Sequence, residues 1–178
     1  MRILILGGAN TVWEDAAKAQ ELATFDVTIA VNDIGTVWEG RLDHWVSLHP
    51  DQFNKWMNAR AEKGLNDDYK TWAHKLEVPR SKPQPRLDAA MKDWGGSSGL
   101  LAVRIALAIG GTRIVLAGIP MSANAAHYFD PKPWGTAMSH RKAWQTHQAE
   151  MAPFVRSMSG WTQALLGEPT QSWLTDAK

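Results

Sequence analysis

Short apolar runs, each stopped by glycine, proline or a polar turn, alternate along the chain with stretches where apolar positions recur every three or four residues. The first run, Arg2–Leu6, stays apolar without alternation after Arg2 and ends at Gly7-Gly8, the pattern of a strand buried on both faces. Thr11 and Glu14 have the spacing of a capping box, in which the Thr11 hydroxyl accepts from the Glu14 NH and Glu14 reaches back to the Thr11 NH. The helix it opens is expected to reach Ala23, with Val12, Ala16, Ala19 and Ala23 on one face. Strands are expected over residues 25–31 and 44–48, ending at Asn32-Asp33 and His49-Pro50-Asp51. Pro50 suits a first helical turn, and Phe53, Trp56, Met57 and Arg60 then carry a helix to Lys63.

Residues 64–97 are broken by Pro79, Pro83, Pro85 and Gly95-Gly96, with a strand expected over 75–78. Lys75, Arg80, Lys82 and Arg86 outnumber Glu77 and Asp88 there, which reads as a solvated loop. Residues 98–109 are apolar on nearly every face except at Arg104, as in a buried helix, and Gly110-Gly111 ends it. A buried strand over 113–117 closes at Gly118-Ile119-Pro120. A polar loop, a helix over 139–152, a strand over 154–158, a short helix to Leu166 and a loose tail follow. Short buried strands alternating with helices define an α/β chain: a single doubly wound, mostly parallel sheet with helices on both faces, Rossmann-like, over residues 1–170, with 171–178 as a C-terminal tail. Right-handed crossovers then bring residues 7–10, 32–33, 49–51 and 120–127 to the carboxyl edge of the sheet, where such folds bind ligands.

With 178 residues, 44% of them apolar, the chain suits one domain with a core of its own. The lack of cysteine excludes a thiolate zinc site and a disulfide scaffold. A net charge of +1 gives no sign of a nucleic-acid partner, and the first apolar run is too short for a membrane span or a signal-peptide core. A cytoplasmic protein with no membrane partner is expected, its oligomeric state left open. The ten tryptophans follow no fixed period, so they mark no repeat array and are read as packing residues.

Gly7, Gly8, Asn10 and Thr11 lie where a strand passes through a tight turn into a helix, an arrangement that turns backbone NH groups and the helix dipole toward an anion. Gly-x-Gly-x-x-Gly spacing is missing, and the acid that a dinucleotide site needs after the second strand falls on Asp33, displaced by Asn32, so NAD is disfavoured as a cofactor. Ser97, Ser98 and Gly99 open the buried helix with two hydroxyls and free NH groups, which suits a phosphate as well as a plain N-cap. Residues 95–99 also read Gly-x-Ser-x-Gly, with Asp130 and His140 following in hydrolase order, although no strand is expected directly before Ser97. Of six histidines, none pairs with another at metal-binding helical spacing. His140, near a helix start at the ligand edge, is the residue best suited to general acid or base work.

Three segments together resemble a known superfamily. They are residues 5–11 (Ile-Leu-Gly-Gly-Ala-Asn-Thr), the pair 29–33 (Ile-Ala-Val-Asn-Asp) and 46–50 (Val-Ser-Leu-His-Pro), and 96–119 from Gly-Ser-Ser-Gly to Ala-Gly-Ile. The superfamily holds the bacterial lipooligosaccharide sialyltransferases and the DUF115 proteins, among them archaeal hydroxymethylpterin pyrophosphokinases; small phage-borne proteins look similar. The resemblance implies that Gly7, Gly8, Asn10, Asn32, His49, Ser98 and Gly99 hold a sugar nucleotide such as CMP-sialic acid. It also implies that His140, in the stretch Ser139-His140-Arg141-Lys142, matches the family's catalytic histidine. The chain departs from the family in having Ile119-Pro120-Met121 where an Asp is common, and His49 in place of Asn or Asp.

These readings converge on a nucleotide- or sugar-nucleotide-binding transferase of glycosyl or pyrophosphoryl groups. Phosphates would sit on residues 7–11 and 97–99, the base or ribose near Asn32 and Asp33, and His140 would move the proton. The ligand expected is a small-molecule nucleotide or nucleotide-sugar. The alternatives are a non-catalytic binding or phage assembly protein on the same fold, and a hydrolase built on Ser97.

Overall fold

The computed structural model describes residues 1–75 and 84–176. Seven strands form one all-parallel sheet: β1 (Arg2–Leu6), β2 (Val27–Val31), β3 (His44–Ser47), β4 (Lys70–Ala73), β5 (Ala89–Ala90), β6 (Arg113–Ala117) and β9 (Val155–Ser157), in the spatial order β5-β4-β3-β2-β1-β6-β9. β1 lies inside the sheet with Ile5 paired to Ile29 of β2 on one side and to Leu116 of β6 on the other. The strand order reverses at this β1/β6 junction. A sheet of this kind leaves a crevice there, beyond the carboxyl ends of the strands.

The central strands β1, β2 and β6 are apolar on both faces but for Arg2, Thr28 and Arg113, because a helix layer covers each face. Ile3, Ile5, Ile29, Val31, Ile114 and Leu116 face α3 (Ser98–Ala108), which buries Leu100, Leu101, Val103 and Ile105 against them. The alternate residues Leu4, Leu6, Ala30, Val115 and Ala117 face α1 (Val12–Leu22) and the aromatic group of Trp45, Phe53 and Tyr69. α2 (Phe53–Ala61) continues from a 3-10 turn at Pro50–Gln52. Its Arg60 is fully buried without a carboxylate and donates instead to the carbonyls of Gly35, Trp38 and Asn66.

Several local expectations change. Thr11 and Glu14 form no capping box: the Thr11 hydroxyl donates to Asp15, and Glu14 pairs with Lys18 at 2.6 Å. The strand expected over 75–78 falls largely outside the described residues, and β4 lies before it. The basic residues Arg80 and Lys82 are likewise outside, while Arg86 packs over Tyr69 and pairs with Asp88. The polar loop after β6 contains a hairpin, β7 (Ala126–His127) and β8 (Asp130–Pro133). The following helix starts earlier, as α4 (Ala137–Thr146), and breaks at His147 before α5 (Gln148–Met151). After α6 (Gly160–Leu166), the stretch read as a loose tail forms α7 (Gln171–Thr175), capped by Thr170, with Leu174 buried and the Trp173 ring in contact with the guanidinium groups of Arg113 and Arg156. No helix among the described residues is long and apolar enough to cross a membrane.

Candidate functional site

A cavity of about 300 Å³ opens at the strand-order reversal, within the size range of small-ligand sites. Its floor is the β1 turn at Gly7 and Gly8 and the β6 turn at Gly118 and Ile119. Asn32 and His49 come from the ends of β2 and β3, Ser97, Ser98 and Gly99 from the start of α3, and His127, Trp134 and His140 from the segment after β6.

The two turns on the floor touch each other. A Cβ on Gly7 would lie 2.3 Å from Ile119 and 2.4 Å from the Gly118 carbonyl oxygen, so only glycine permits this approach. Gly7 NH donates to Ala117, Ala9 NH to Gly118 and Asn10 NH to Ala126, all backbone carbonyls. Three of the turn's NH groups are thus occupied inside the protein, and Gly8 NH is the one among residues 7–10 with no backbone acceptor among the described residues. Asp15 locks the same corner. This carboxylate, 5% exposed, accepts from the Gly118 NH at 2.9 Å, the Thr11 hydroxyl at 3.0 Å and the Ser159 hydroxyl at 2.6 Å, all on Oδ2. Gly118 has φ of +68°, and Met121 three residues later has φ of +46°, a left-handed backbone held by Arg141 Nε donating to the Met121 carbonyl.

Asn32 also adopts a left-handed backbone, with φ of +56°. Its Oδ1 accepts from the Ser47 hydroxyl at 2.8 Å and its carbonyl from Trp45 Nε1, so both oxygens are committed and the Nδ2 amide remains to meet a ligand. The Ser98 hydroxyl accepts from Leu48 NH at 3.0 Å, which ties the start of α3 to the end of β3. Ser97 is the N-cap: its hydroxyl accepts from Leu100 NH and from Trp144 Nε1, both at 3.4 Å. The NH groups of Ser98 and Gly99, in the first turn of an eleven-residue helix, remain for an anion.

The hydrolase arrangement is not assembled. Ser97 follows coil rather than a strand, its hydroxyl is occupied as above, and among the described residues no hydrogen bond joins it to His140 or His140 to Asp130. Asp130 is exposed and accepts from Lys132 NH. His140 itself leans on Trp134, ring centroids 5.8 Å apart.

Of the residues named from the sequence, Gly7, Gly8, Asn32, His49, Ser97, Ser98, Gly99 and His140 share this cavity. Asn10, Thr11 and Asp33 stand outside its wall. Asn10 is exposed, Thr11 is turned to Asp15, and Asp33 lies behind the end of β2 with Oδ1 sealed from solvent and unpartnered. Burial pushes the Asp33 carboxyl above its ordinary value, against the opposing pull of His127, of its own backbone NH and of Lys55. His127 and Trp134 were not singled out from the sequence, although the loop up to residue 127 was placed at this edge. Nothing in their spacing marks them, because the hairpin that carries them reaches the cavity through tertiary contacts. Among the described residues no group of three or more His, Asp or Glu could hold a metal ion.

No family model and no curated protein matches the sequence. Solved structures do match the fold. The CstII sialyltransferase of Campylobacter jejuni with cytidine-5'-monophosphate superposes with a TM-score of 0.63 at 12% identity, covering 96% of this chain and 85% of that one. The same enzyme with CMP-3FNeuAc gives 0.63 at 14% identity over 96% and 87% of the two chains. The complex of CST-II with a trisaccharide acceptor and CMP gives 0.61 at 13% identity over 100% and 89%. At such identities the likeness establishes the Rossmann-like, sialyltransferase-like fold.

Proposed function

We propose that the chain is a sugar-nucleotide-dependent group transferase, with glycosyl transfer favoured over pyrophosphoryl transfer. What carries the reading is the cavity at the β1/β6 junction, where Asn32, His49, the start of α3 and His140 meet, in a fold shared with an enzyme solved with CMP and with CMP-3FNeuAc. A volume of about 300 Å³ suits the nucleoside monophosphate part, leaving the sugar toward the open side. The Ser98 and Gly99 NH groups and the dipole of α3 would receive the phosphate, with Gly8 NH as a further donor, and the Asn32 amide would meet the base or ribose. In glycosyl transfer the acceptor hydroxyl oxygen bonds to the sugar carbon as the bond from that carbon to the phosphate oxygen breaks. The electron pair leaves with the nucleotide phosphate, and His140 takes the hydroxyl proton.

A second reading, a nucleotide-binding protein without turnover, draws on one observation: the His140 ring has no hydrogen-bonded partner to orient it among the described residues. Calorimetric titration with CMP, CMP-sialic acid, UMP, ATP and GTP, followed by donor hydrolysis and transfer assays, separates the readings. The transferase predicts cytidine-selective binding and turnover that falls at least about a hundredfold in His140→Ala, with affinity for CMP retained. Binding without turnover supports the second reading, and no nucleotide binding at all refutes both.

A further inference from the structure

Among the described residues the cavity wall contains no lysine, arginine, aspartate or glutamate, so an anionic ligand meets side-chain charge only from His49, His127 and His140. His127 is set apart by its surroundings. Its ring covers Gly8 so closely that a Cβ there would come within 2.5 Å of Cε1. A backbone bridge between Ala9 and His127, and the bond from Tyr128 NH to the Gly8 carbonyl at 2.7 Å, fasten the hairpin to the end of β1. Asp33, in the 3-10 turn that follows β2, has an Oδ1 shut off from solvent with no donor. A buried acceptor left without a donor is unfavourable, and the groups whose pull opposes the burial of this carboxyl include His127 and Lys55 on α2. The other charged group beside His127 is Asp130, its partner across the hairpin, which is exposed and accepts from Lys132 NH.

We propose that His127, backed by Asp33, is the side chain that receives the anionic phosphate of a ligand in this cavity. A doubly protonated imidazole has two N–H donors, so it can face a carboxylate on one side and a phosphate on the other. Bound phosphate and buried carboxylate then share one cation, and Asp33 acts as a positioning residue that never touches the ligand. The inference rests on the nucleotide-binding reading above and adds to it the residue that recognises charge.

Calorimetry with CMP and with uncharged cytidine, on wild type, Asp33→Asn and His127→Gln across pH 5.5 to about 8.5, tests it. Wild type is expected to prefer CMP, and to lose that preference as the pH rises. Both variants are expected to lose about tenfold in CMP affinity at the acid end and to keep their cytidine affinity. Their pH profiles should be flatter, and His127→Lys should restore the preference for CMP with little pH dependence. If wild type binds CMP and the variants match it, or if CMP and cytidine weaken together, His127 has only a structural part and the proposal falls while the nucleotide reading stands. If wild type binds neither ligand, the nucleotide reading falls and takes the proposal with it.

Discussion

Asp15 is where stability and site geometry meet, and replacing it has a calculable cost. Its Oδ2 holds three donors from distant parts of the chain: Thr11 at the start of α1, Gly118 after β6 and Ser159 after β9. In Asp15→Ala the Gly118 NH, buried against Gly7 and Val12, has no route to water, which costs about 1–3 kcal/mol. The two hydroxyls regain solvent in part, adding about 0.5–1 kcal/mol each for bonds that were charge-assisted. The sum, about 3 kcal/mol, corresponds in a chain of this size to a fall of about 6–12 °C in thermal midpoint. Asp15→Asn keeps an oxygen toward the same donors but loses the charge, so about half that fall is expected. Thermal denaturation followed by circular dichroism, with urea titration as a check on the slope, measures both. A midpoint within about 2 °C of wild type for Asp15→Ala would refute the claim that this carboxylate fastens the two turns.

Two further outcomes follow from the same structure. Burial holds the Asp33 carboxyl above its ordinary value, so the group opposes folding once ionised: the penalty is absent below the unfolded value and grows as pH rises through the folded one. Asp33→Asn should therefore match wild type in thermal midpoint near about pH 3.5 and exceed it at neutral pH, and a variant less stable at neutral pH would contradict this. Trp173→Ala removes an indole over whose ring the guanidinium groups of Arg113 and Arg156 lie, at 5.2 and 4.9 Å; a loss of about 2 kcal/mol in urea denaturation is expected, and an unchanged midpoint would show that α7 adds nothing to the fold.

The sheet was legible because its strands are apolar on both faces. The runs at Arg2–Leu6 and Arg113–Ala117 are five residues long, bounded by glycine, and could be little else. β5 was not, since two alanines at an edge carry no pattern. The Thr11 and Glu14 spacing misled because Asp15, one residue on, is buried and takes the Thr11 hydroxyl for the corner it fastens. On the site, residues at strand ends were readable from topology: Gly7, Asn32 and His49 arrive at one cavity because parallel strands all point there, and Ser98 was readable as the start of the buried helix. His127 and Trp134 depend on how a hairpin folds back over β1, a long-range contact with no local signature. The glycine turn shows the opposite limit. Its sequence suggests an open phosphate cradle, yet most of its NH groups are taken by carbonyls of β6, of the turn after it and of β7, which only the tertiary structure reveals.

The interior position of β1 bears on how the chain reaches this state. Leu4 completes its pairing only when Thr28 and Val115 are both in register, and β6 leaves the ribosome long after β1 and β2. A nascent chain holding β1 to β5 alone would present the β6-facing side of β1 as an open edge of unpaired backbone flanked by Ile3, Leu4 and Ile5, the kind of edge that recruits foreign strands. The centre of the sheet can therefore close only once Arg113–Ala117 is available, and until then the half-made sheet is the form of this chain most exposed to wrong pairing.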